Sequence, residues 1–163
     1  MFSINIRIIA VGKLKEDFYR KGEDHYLERL NPYARVEVIE LSEALESKKD
    51  GSNADKKRAL AQEGDKVNKK LRPEAHKVVL AAQGTSKTTP EFASYLENLQ
   101  VKGQSKVDFI IGGPLGITDE ILKNSDLSLS LSCLTFPHRL ARIILLEQLY
   151  RCFKIIKGEP YHK

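Results

Sequence analysis

VDFIIGGPLG (Val107–Gly116) begins as a short apolar run and breaks at a pair of glycines. Runs of this kind are strands buried on both faces of a parallel sheet. KVVLAA (Lys77–Ala82) is a second such run, which Gly84 ends. Outward from these two, INIRIIAV (Ile4–Val11) is β-branched and partly alternating, and Gly12 closes it. VEVIEL (Val36–Leu41) and LSLSLS (Leu127–Ser132) alternate and are two further strands. Helical segments lie between them. One runs from Glu16 to Leu30 and stops before Pro32; another, NADKKRALAQEGDKVNKKL, has Asn53 or Asp55 near its start. TPEFASYLENLQ is a helix with Thr89 as N-cap and Pro90 in the first turn. TDEILKN is one or two turns, and a final helix runs from Pro137 to Phe153. Residues 42–53 are polar, contain Gly51 and are expected to form a mobile loop. Strands and helices alternate throughout. The expected architecture is α/β: a mainly parallel sheet with helices on both faces, in one domain spanning residues 1–163.

Composition narrows the function classes. The chain has 163 residues, 41% of them hydrophobic and 30% charged, which is ordinary for a soluble globular protein. A net charge of +5 permits an acidic partner such as nucleic acid without demanding one. Cys133 and Cys152 match no metal or redox spacing, so reduced thiols in a cytoplasmic protein are expected and no metal is. The N-terminus lacks the pattern of a signal peptide, and no apolar run approaches the ~18–20 residues of a membrane span.

Ligands of open parallel sheets bind beyond the carboxyl ends of the strands. Three exits stand out: QGTS after KVVLAA, GGPLG after VDFII, and CLTFPH after LSLSLS. Glycine there lets main-chain groups approach a ligand closely. Neither G-x-G-x-x-G nor a P-loop is present. In the last helix, 100° steps put His138 and Arg142 on one face, a turn apart, as a candidate anion site. Glu147 and Arg151 are spaced for an i,i+4 ion pair. Leu140, Ile143, Ile144, Leu146 and Phe153 cover so much of the helix that a second partner is expected, and a homodimer would supply it. The chain ends in Pro160, Tyr161, His162 and Lys163: a ring that stacks, an imidazole that moves protons and a fixed charge. The basic clusters between Lys48 and Arg72 are mixed with acids and fit either a solvated helix face or a phosphate-contacting surface. Read from the residues alone, a non-catalytic RNA-binding module and a small hydrolase using Ser130 or Ser132 with His138 remain as alternatives. The hydrolase is disfavoured by the lack of G-x-S-x-G.

IIGGPLG, LSLSLSCLTFPHRLARIILLEQLYR and GEPYHK together resemble the C-terminal half of the RlmH family. IRIIAVGKLKEDFY and NADKKRALAQEG resemble its N-terminal half, so the likeness spans essentially the whole chain. These are α/β-knot, SPOUT-class methyltransferases of large-subunit ribosomal RNA. The resemblance implies a deep C-terminal trefoil knot, a homodimer and S-adenosylmethionine as cofactor. It implies methyl transfer to N3 of a pseudouridine on the assembled ribosome. Cofactor contacts are then expected at Leu80, Gly112, Leu131, Ser132, Cys133, Leu134, Thr135 and Phe136, with Cys133 contributing main chain only. The tail is expected over a cofactor pocket, that of the partner subunit. Arg142 is expected to stabilise charge and His138 or His162 to accept the proton. Arg142, Arg151, Tyr161, His162 and Lys163 are the expected RNA contacts.

Overall fold

A computed structural model describes residues 4–44 and 51–161. In chain order the elements are β1 (Ile4–Val11), α1 (Asp17–Leu30), β2 (Ala34–Leu41), α2 (Asn53–Lys70), β3 (His76–Ser86), α3 (Thr89–Val101), β4 (Lys106–Ile111), α4 (Asp119–Asn124), β5 (Leu127–Ser130) and α5 (His138–Ile156). The strands form one sheet in the order β2-β1-β4-β3-β5, and every pairing is parallel.

Alternation along the strands sorts the core into two layers. Ile4, Ile6 and Ile8 of β1 and Val107 and Phe109 of β4 face one way, against Leu30 of α1, Leu96 of α3 and Leu145 and Leu149 of α5. Ile9, Val11 and Ile110 face the other way, against Val67 of α2 and Ile121 of α4. Helices therefore cover both faces, as the apolar central strands require. Each fully buried Ile or Leu contributes about 1.5–3 kcal/mol.

The amino-terminal edge of the sheet is closed by a charge pair. Asp108, fully buried in β4, accepts from the Arg72 Nε at 2.8 Å, its Nη2 at 2.6 Å and its main-chain N–H at 2.8 Å. Arg72 also donates from Nη1 to Asn5 Oδ1 at 3.0 Å. A buried carboxylate this fully bonded is a structural lock and not a site.

Several boundaries differ from expectation. β3 does not end at Gly84. It continues to Ser86 across an irregularity in which Leu80 and Thr85 both pair with Leu129, leaving residues 81–84 without a partner on β5. The N-cap of α3 is Thr88 and not Thr89: its side chain accepts from the Glu91 N–H, and Glu91 returns a bond to the Thr88 N–H. Thr89 instead donates its hydroxyl to Gln148 of α5 at 2.7 Å. α2 is capped by Ser52 in the same reciprocal manner with Asp55. β5 stops at Ser130, whose hydroxyl turns back to the Ser132 carbonyl. Residues 45–50 of the expected mobile loop lie outside the described residues. α5 packs against α1 and α3, which bury Leu145, Leu146, Leu149, Cys152 and Phe153. Most of its apolar surface is thus covered within one chain; Leu140, Ile143 and Ile144 are only half-buried.

Candidate active site

A cleft of about 980 Å³ opens at the carboxyl ends of β3, β4 and β5. All three strand exits contribute to its wall. Leu80, Gly112, Leu131, Ser132, Leu134, Thr135 and Phe136, seven of the eight expected positions, are on its wall. Cys133 lies in the same loop but is exposed and outside the lining. Two glycines make the cleft possible. A Cβ on Gly112 would lie 2.6 Å from the Gly116 carbonyl oxygen, and one on Gly84 would lie 2.6 Å from that of Ser128. Neither backbone could move aside without dismantling the wall. The loop after β5 is held by the Ser132 hydroxyl, which accepts from the Leu134 N–H at 2.9 Å. This leaves the Leu134 side chain largely in solvent.

His138 stands where α5 begins and also lines the cleft. Its Nε2 is buried, has no hydrogen bond among the described residues and lies 3.5 Å from Glu43 Oε1. Burial, then the charge of Arg139, pushes its pKa below the ordinary imidazole value, against the pull of Glu43. Burial thus favours the neutral ring. Arg142, one turn on, does not face an open anion site. It is 1% exposed and donates to Glu40 Oε2 at 2.6 Å, Glu23 Oε2 at 3.2 Å and the Gly12 carbonyl at 2.7 Å. Burial works to raise the Glu40 pKa, but hydrogen bonds from Arg142 and the Leu14 N–H prevail and hold it low. For Glu23 burial prevails, and its pKa is raised.

The expected Glu147–Arg151 pair is formed, with Nη2 to Oε1 at 2.6 Å. Tyr161 folds back onto it, donating to Glu147 Oε1 at 3.3 Å, with its ring centroid 4.7 Å from the Arg151 guanidinium. Within the chain, Tyr161 thus rests on the middle of its own α5. His162 and Lys163 lie outside the described residues. Among the described residues no cluster of three His, Cys, Asp or Glu suits a metal, and no helix is long and apolar enough to cross a membrane.

The sequence profile of a family described as "Predicted SPOUT methyltransferase" matches residues 4–162. The chain belongs to this SPOUT methyltransferase family. It is 46% identical over 160 residues to a protein of Bacillus thuringiensis (strain Al Hakam) named ribosomal RNA large subunit methyltransferase H. It is 43% identical to the protein of that name from Bacillus pumilus (strain SAFR-032). Both alignments cover 98% of this chain and 100% of the relative. Two solved structures share the fold. A probable methyltransferase from Bordetella pertussis Tohama I superposes with a TM-score of 0.55 at 12% identity, covering 93% of this chain and 97% of that one. A protein from Legionella pneumophila, solved in complex with the bound cofactor SAM, gives 0.50 at 11% identity, covering 94% and 66%.

Some of the SPOUT cleft was not named from sequence. Gln83 and Gly84 line it because β3 bulges there, and Ile117 and Ala141 because α4 and α5 close its ends. The QGTS and GGPLG exits were the available signal for the first three. Nothing local marked Ala141, which follows from where α5 crosses the sheet.

Proposed function

We propose that this chain is an S-adenosylmethionine-dependent methyltransferase of large-subunit ribosomal RNA. Its acceptor is N3 of a pseudouridine on the assembled ribosome, in the cytoplasm. The observation that carries this reading is the cleft, whose walls are strand exits rich in main-chain groups. Its volume suits a ligand of nucleoside size. The residues fit the cofactor. Leu80, Leu131, Leu134 and Phe136 offer apolar walls, and the backbones around Gly112, Ser132, Cys133 and Thr135 offer donors and acceptors for an adenine edge. When bound, the cofactor supplies a methyl group already activated by its sulfonium.

The acceptor nitrogen carries an imide proton that has to leave. His138, at the cleft wall with its neutral form favoured by burial, accepts it in this proposal. His162 is the alternative acceptor. Sequence alone suggested that Arg142 stabilises charge on the base. Its engagement with Glu23, Glu40 and Gly12 supports a different assignment, a positioning residue that fixes the first turns of α5 and hence His138. The working unit is a homodimer, with the half-buried Leu140, Ile143 and Ile144 as candidate contacts. In it the tail Tyr161–Lys163 lies over the partner's cleft, with Tyr161 kept on its own α5, and joins Arg151 in contacting RNA. The chain carries the trefoil knot of its family.

The test is methyl transfer from radiolabelled S-adenosylmethionine to ribosomes from a strain lacking this gene, beside free large subunits and naked RNA. Label at N3 of one pseudouridine, on assembled ribosomes alone, is expected. Cofactor binding without label on any acceptor would transfer the search to another RNA. Absence of cofactor binding would leave the RNA-binding module.

A further inference from the structure

We propose that the ridge at the exit of β1, formed by Lys13, Lys15 and Phe18, is a second contact surface for the RNA substrate, holding nucleotides that flank the one in the cleft. The proposal rests on the ribosomal RNA reading above.

Phe18 is 66% exposed, in the first turn of α1. The other large hydrophobics that stand out in solvent among the described residues are Leu134, in the cleft loop, and Val101, at the end of α3. Its ring packs on that of Tyr19, centroids 4.3 Å apart, and the rest of its apolar surface is open to an occupant. The charge around it names one. Lys13 and Lys15 are exposed and form no ion pair among the described residues. The acids nearby are already engaged or turned inward. Asp17 pairs with Arg20, Glu40 binds the Leu14 N–H and Arg142, and Glu43 lies between His138 and Arg139. Glu16 buries one carboxylate oxygen.

The ridge is also rigid. The Lys13 carbonyl accepts from Arg139 Nε at 3.0 Å, the Leu14 N–H donates to Glu40 at 3.1 Å, and Leu14 plugs the core beneath. His138, next to Arg139, lines the cleft, so ridge and cleft share a border. An exposed π-face just after two exposed lysines on an anchored turn suits unpaired bases and their phosphates. RNA loops present such bases to proteins. A second copy of this chain covering Phe18 is the competing occupant, which solution mass distinguishes.

The experiment compares wild type with Phe18→Ala, Phe18→Trp and the double variant Lys13→Gln/Lys15→Gln. It measures co-sedimentation with unmethylated ribosomes without cofactor, steady-state methyl transfer, cofactor affinity and solution mass. Phe18→Ala is expected to raise the ribosome Kd and KM about tenfold, a loss in the range of one stacked base. The turnover number and cofactor Kd stay within about twofold, because the ridge touches the flanking RNA only. Phe18→Trp restores the wild-type values. The lysine variant flattens the slope of log affinity against log salt by about 1.4, the release from two single-strand phosphate contacts. Unchanged Kd and KM in all variants would overturn the proposal, and so would a lowered solution mass of Phe18→Ala, which would make the ridge a self-interface. Co-sedimentation that depends on Phe18 without any methyl transfer would keep the ridge and remove the methyltransferase reading.

Discussion

Arg142 carries a full charge at 1% exposure, and its partners are two acids 119 and 102 positions away, Glu23 and Glu40. Arg142→Ala would leave both carboxylates facing a cavity. A loss of about 3 kcal/mol is expected, the low end for a broken buried pair because Glu40 keeps some water. Urea unfolding measures it. Arg142→Lys recovers only part, since an ammonium cannot reproduce the fork to Glu40 and Gly12. Helical spacing was enough to place Arg142 beside His138. It could not show that the guanidinium was already taken, because its partners come from other elements. Glu63 of α2 presents the opposite case. It is 3% exposed; one oxygen accepts from the Ala44 N–H at 2.9 Å, the other has no partner among the described residues, and burial raises its pKa. Glu63→Gln keeps the acceptor and removes the charge. A gain of about 1 kcal/mol, or about 2–4 °C in Tm, is expected at pH 8 by calorimetry.

Helix starts and strand exits were legible as elements and misplaced by a residue or a turn. Thr88 and Thr89 both qualify as caps by type, and only the reciprocal bonds with Glu91 choose between them. Thr88→Ala is expected to cost about 1 kcal/mol. Thr89→Ala loses one hydroxyl bond to Gln148 and about half as much. Thermal melts of the two variants separate the roles. Glycine commonly closes a strand, which makes Gly84 the expected end of β3. Here it allows the chain to pass against the β5 backbone instead. Gly112→Ala puts a methyl group into the Gly116 carbonyl. A loss of cofactor affinity of more than tenfold is expected by calorimetric titration, with α-helical content unchanged.

For the molecule as a whole, the two-sided coverage of the sheet followed from the apolar runs of β1, β3 and β4, whereas the strand order β2-β1-β4-β3-β5 came from the structure. So did the Arg72–Asp108 lock, since a lone Asp in a buried strand signals nothing until its partner is known. Stability against acid is also a property of the whole. Burial lowers the pKa of both His138 and His76. Such an imidazole binds fewer protons folded than unfolded, so protonation favours the unfolded chain. The loss begins as pH falls through about 6.5 and is complete below the folded pKa. Glu23 and Glu63 act in the other direction: their raised pKa values add stability in acid, lost as pH rises from about 4.5 through the folded values. The histidine share is isolated by a double variant, His76→Gln/His138→Gln. Relative to it, the wild type is expected to lose Tm steadily as pH drops from 7 to 5.5.

The four residues of β3 that skip their partner strand have a consequence for inhibition. Between Leu80 and Thr85 the cleft wall offers peptide groups released from the ladder. A compound that binds those peptide groups gains nothing from most side chains in the wall, and so loses little when they mutate. Resistance would then have few single-codon routes, and those at Gly84 and Gly112 run through backbone collisions that would damage the enzyme's own pocket.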